Sequence, residues 1–99
     1  MYALIVEGKE ARSANGTVMA EEGEKFLVVK EPEGWVEADS CRWDGSVGAD
    51  VKKFSSREAA EKFARKWDGF PWWCVPNGNF EVVEIRPKYV KVLDGYEVV

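Results

Sequence analysis

The chain has 99 residues, 14 basic and 18 acidic side chains, no histidine and a formal net charge of −4. Its 45% hydrophobic and 13% aromatic content is too apolar for a disordered chain, and its length fits one domain, 1–99. Without histidine there is no Ser-His or Cys-His pair, no imidazole general base and no histidine metal ligand, and no apolar run approaches the roughly 20 residues of a spanning helix.

Taken in chain order, Tyr2–Val6 reads as a first strand, with no basic stretch ahead of it to suggest a signal peptide. Asn15-Gly16 is a hairpin dipeptide before Thr17-Val18-Met19. Lys25–Lys30 and Trp35–Ala38 flank Glu31-Pro32-Glu33-Gly34, a longer hairpin turn. Residues 39–53 show no periodicity, and Gly45, Ser46 and Gly48 suggest a surface loop with a short strand near Val51. Asp39 to Asp50 is acidic but does not fit a calcium loop, because Cys41, Trp43 and Asp44 stand where two oxygen ligands and a glycine are needed.

A helix is expected over about 56–67. Ser55 and Glu58 have the spacing of a capping box. Ala59, Ala60, Phe63, Ala64 and Trp67 make one apolar face. Glu58 with Lys62, and Glu61 with Arg65, are spaced for i,i+4 pairs. Gly69 and Pro71 end the helix. Beyond it, Trp72–Val75 and Phe80–Arg86 flank Pro76-Asn77-Gly78-Asn79, and Tyr89–Leu93 and Tyr96–Val99 flank Asp94-Gly95, a type I′ turn candidate. The fold class is therefore α+β: a meandering antiparallel sheet of five to seven strands with one amphipathic helix packed on one face.

Charge and aromatic content point to function. Residues 1–50 carry five basic and eleven acidic side chains, whereas 51–99 carry nine and seven. An acidic N-terminal half suits a basic partner and argues against direct nucleic-acid binding, which needs clustered Lys and Arg. Trp67, Phe70, Trp72 and Trp73 fall close together, and neighbouring strand residues point to opposite faces, so one of Trp72 and Trp73 should face away from the helix; Trp73 is the expected one. The candidate partner-binding residues are Trp73, Trp43, Trp35, Glu37, Asp39, Asp44 and Asp50. Cys41 and Cys74 lack metal spacing and no disulfide is expected, so no metal, cofactor or catalytic residue is assigned.

Lys25–Lys30, Gly34-Trp35-Val36, the run from Val51 through Ser55-Ser56-Arg57-Glu58-Ala59-Ala60 to Ala64, and Phe80–Ile85 together resemble small orphan proteins encoded by phages and prophages, over roughly residues 24–86. Those proteins share a hairpin, a capped amphipathic helix and a closing strand. The class includes anti-CRISPR proteins and other inhibitors of host defence. The resemblance implies a cytoplasmic, non-enzymatic protein that inhibits a host defence or nucleic-acid-handling protein by protein–protein contact. It assigns no site residue. A single-stranded nucleic-acid module stacking bases on Trp35, Trp43 or Trp73, and a small enzyme or ligand-binding domain, stand as alternatives. A homodimer is the other use for an uncovered aromatic face.

Overall fold

The computed structural model describes residues 1–30, 39–67, 79–89 and 91–99. Its elements are β1 (Tyr2–Glu7), β2 (Ala11–Arg12), β3 (Val18–Ala20), β4 (Lys25–Val29), β5 (Asp39–Arg42), α1 (Arg57–Lys66), β6 (Phe80–Tyr89) and β7 (Leu93–Val98). Five strands form an antiparallel sheet in the order β5-β4-β1-β6-β7, and β2 and β3 form a separate hairpin closed over Gly16. The α+β class and the single helix on one sheet face are as the sequence indicates.

β1 is the central strand and is apolar throughout its middle. Leu4 and Val6 join Phe26, Val28, Val82, Phe54 and the helix residues Ala60 and Ala64 in one core cluster. Ala3 and Ile5 point the other way and join Leu27, Val47, Val51, Ile85 and Tyr96 in a second. Strand alternation thus sends buried residues to both faces of the sheet. The small Ala60 and Ala64 side chains let α1 lie close on the first face, as their spacing predicts.

The second face is covered by the segment that runs from β5 to α1. After Leu27, β4 and β1 diverge, and Val51–Phe54 fills the gap. Lys30 N–H donates to Asp50 O and Lys52 N–H to Val28 O on one side, and Phe54 and Tyr2 exchange both backbone bonds on the other. Tyr96 N–H then donates to Val47 O (2.8 Å), tying this segment to β7.

Four sequence expectations are corrected. Asp39–Arg42, read as loop, pairs with β4 from Val29↔Asp39 to Phe26↔Arg42. It is an edge strand whose pairing is carried by backbone, so its side chains show no apolar alternation. The N-cap of α1 is Ser56, whose side chain accepts from Ala59 N–H at 3.1 Å, one residue later than expected. Asp94-Gly95 lies inside β7, not at the turn, which falls between Tyr89 and Leu93. The pairs Glu58–Lys62 and Glu61–Arg65 are not among the ion pairs of the described residues, which are Arg12–Glu10, Lys25–Glu81, Arg42–Glu24 and Arg86–Glu97. The expected strands Trp35–Ala38 and Trp72–Val75, the helix stop at Gly69 and Pro71, and Cys74 lie outside the described residues.

Candidate protein-contact surface

Trp43, expected to be an exposed anchor, is only partly exposed and packs against the second core cluster, its buried indole Nε1 without a hydrogen-bond partner. The backbone places it there, because Trp43 N–H donates to Lys25 O and continues the β4–β5 pairing. Asp44 is exposed, and its carboxylate folds back on the next turn of the loop: Oδ1 accepts from Ser46 N–H (2.9 Å) and Ser46 Oγ–H (2.5 Å). Those bonds hold its pKa below the usual aspartate range, led by the Ser46 side chain and then the Ser46 backbone. Asp50 is exposed, with its carboxylate beside Gly48. Asp39 belongs to edge strand β5. Trp35, Glu37 and Trp73 lie outside the described residues. Trp43, Asp44 and Asp50 share the 43–51 segment that covers the sheet, with Trp43 packed against the core and Asp44 and Asp50 exposed on it.

A surface that the sequence reading missed lies at the other end of the chain. β6 is ten residues long and changes partner midway. Phe80–Glu84 pair with β1, while Ile85–Tyr89 pair with β7. Met1 O accepts from Ile85 N–H, and past that point β1 has ended. The outer half of β6 therefore leaves the sheet body as a two-stranded ribbon with β7.

The pleat makes this ribbon two-faced. Ile85↔Val98, Pro87↔Tyr96 and Tyr89↔Leu93 stand on one side; Arg86↔Glu97, joined by a 2.8 Å ion pair, and Lys88↔Gly95 stand on the other. On the apolar side Ile85 and Tyr96 are buried beneath Val47. Farther out, at the tip, Tyr89 is 67%, Val92 75% and Leu93 39% exposed, while Val98, paired with Ile85 at the base of the ribbon, is 40% exposed. The run Tyr89–Leu93, expected to be a strand, instead spans the turn from β6 to β7, and the sequence gives no signal that the cover stops at Tyr96.

Both ribbon edges are blunted against strand addition. Ile85 N–H points toward β1, so residue 87 is the next whose N–H would face that open edge, and it is proline. On the β7 edge, Tyr96 N–H is taken by Val47 O. Each edge is thus occupied at one position.

Other features hold less. A groove of about 550 Å³ between Gly45–Gly48 and β7 is open, with Lys88, Asp94 and Glu97 on its wall. Among the described residues no group of three or more Cys, Asp and Glu side chains is placed to hold a metal, and no helix is long and apolar enough to cross a membrane. Searches of family models, curated proteins and solved structures return no match to this chain.

Proposed function

We propose that this protein is a non-enzymatic binding domain that acts by protein–protein contact through the apolar face of the β6–β7 ribbon. The observation that supports this most is the cluster of Tyr89, Val92 and Leu93, left 39–75% exposed where β6 and β7 meet at the outer end of the ribbon. Contiguous exposed apolar side chains rimmed by charge are the usual mark of an interaction site, and a tyrosine at the centre is a favoured anchor. The resemblance to small phage proteins supplies the partner class of this proposal: a host protein that defends the cell or handles nucleic acid, met in the host cytoplasm. The single-strand stacking alternative loses support from the packing of Trp43 into the core.

The test is a quantitative comparison of tagged baits in host lysate. Wild-type protein, Tyr89→Ser/Val92→Asp and the control Lys62→Glu, on the polar side of α1, are compared at equal folded concentration. A partner retained by wild type and by Lys62→Glu but depleted at least tenfold by the ribbon variant is the expected result. A partner retained equally by all three places the contact elsewhere and refutes the ribbon reading.

A further inference from the structure

We infer that Asn15 is a latent site of spontaneous modification: the folded β2–β3 hairpin keeps its side chain from closing on Gly16, and it converts to aspartate and isoaspartate when the hairpin opens.

The reactive pair is Asn15-Gly16. An asparagine before glycine is the pair most prone to succinimide formation, because no Cβ on the second residue hinders the approach of its backbone nitrogen. The reaction needs only water. The Gly16 nitrogen gives up its proton and attacks Asn15 Cγ, the Cγ–Nδ2 bond breaks, and the amide nitrogen takes up the proton and leaves as ammonia. Water then opens the five-membered ring at either carbonyl. One opening gives aspartate; the other gives isoaspartate, in which the main chain runs through the former side chain. Asn15 and Gly16 are both exposed, so water reaches them.

In the folded hairpin each reacting group is engaged elsewhere. Gly16 N–H donates to Ser13 O at 2.9 Å, so the proton that must leave first is held in a hydrogen bond. Asn15 Oδ1 accepts from Ser13 Oγ–H and, in an Asx-turn, from Thr17 N–H (3.3 Å), which fixes the carboxamide against the turn. Thr17 N–H is shared with Ser13 Oγ (3.2 Å), and Ser13 N–H donates to Thr17 O (2.8 Å), closing the loop. Ser13 thus restrains the electrophile through its hydroxyl and the nucleophile through its carbonyl.

The hairpin is also built to open by itself. β2 has two residues and β3 three, they form a sheet of their own, and their register shifts between Ala11 and Arg12. Two-stranded hairpins of this size are marginal, and such units open without global unfolding. Loss of the Gly16 amide proton to base then requires the same opening that amide hydrogen exchange requires. Isoaspartate adds one main-chain atom between positions 15 and 16, so the closure from Ser13 to Thr17 no longer fits, and the change marks chains whose hairpin has opened.

Peptide mapping of the purified protein held at pH 8 and 37 °C tests this, because it separates Asn15 from the chain's other Asn-Gly pair at Asn77. The reference is a synthetic peptide covering residues 9–21. Asn15 should convert at least tenfold more slowly in the folded protein than in the peptide, and exchange of the Gly16 amide should be slowed by a similar factor. Ser13→Ala should raise the folded-state rate at least threefold with the corresponding peptide rate little changed, and Ser13→Thr should restore protection. A folded-state rate equal to the peptide's overturns the inference, because the hairpin then offers no protection. A faster one overturns it too, because the donors on Oδ1 then activate the carbonyl. Slow conversion with an unprotected Gly16 amide, or an unchanged rate in Ser13→Ala, refutes the gating by the turn. The comparison of wild type with peptide needs no variant, so it decides the matter even if Ser13→Ala fails to fold.

Discussion

At the scale of single residues, two adjacent serines show how closely local chemistry can be read and where it stops. Ser55 and Ser56 both precede the helix, and either could cap it; only the backbone at Ser56 (φ −145°, ψ 158°) places its Oγ beside Ala59 N–H. Ser56→Ala should cost about 0.5–2 kcal/mol in chemical denaturation, as lost N-caps do, with Ser55→Ala near neutral. Equal costs would mean that the two serines share the cap. Gly95 is the opposite case: its neighbourhood, not its place in a turn, demands glycine. A Cβ there would sit 2.5 Å from Val47 O, so the bridge between the covering segment and β7 exists only because no side chain intervenes. Gly95→Ala should destabilise by about 1–3 kcal/mol, the range for overpacking, and should deprotect the Tyr96 amide in hydrogen exchange. The Asp-Gly dipeptide suits a hairpin turn and a close approach equally well, so the sequence could not tell them apart. Asp44 gives a pH expectation. Because its folded pKa is depressed, the loop's support from this carboxylate is present above the ordinary aspartate range and is lost as pH falls through the lowered value. Loosening of the Ser46 amide with acid should be absent in Asp44→Asn.

At the scale of elements, α1, β1, β4 and β6 were legible because each has a strong period and a buried face. β5 and the segment after it were not. Their residues are placed by what they cover, and Val47 and Val51 are isolated apolar positions among glycine and charge. The sequence therefore did not reveal which segment covers the sheet face away from the helix, and β1 is buried on both. Leu4→Ala and Ile5→Ala should therefore be comparably damaging, about 2–5 kcal/mol each, though one faces α1 and the other faces Val51. A near-neutral Ile5→Ala in urea denaturation would show that the 43–51 segment does not seal the second face. Phe63 is a different matter. It is only partly buried, its ring tilted 54° to that of Phe54 at 5.3 Å with Lys52 4.9 Å above it, so Phe63→Ala should cost less than Leu4→Ala.

At the scale of the whole molecule, the fold is assembled from distant parts of the chain. Tyr2 pairs with Glu84 and Val6 with Phe80, and the helix reaches its seat only through a crossover from one side of the sheet to the other. Such topology should fold in milliseconds to seconds. A stopped-flow phase in microseconds would contradict it.

That pairing of the second residue with the eighty-fourth also sets a timetable for the nascent chain. The central strand, Ala3-Leu4-Ile5-Val6, is made well before its partner, so one of its two edges stays open until Phe80–Glu84 have been translated. At ordinary elongation speed the wait is roughly 4–15 s. For that interval the chain displays an uncharged, proline-free β-forming stretch of the kind that nucleates aggregation. The glutamate at position 7 stands next to this stretch as a gatekeeper charge. Yield in the cell should then depend on translation rate and on holdase chaperones more than the finished domain's stability would suggest.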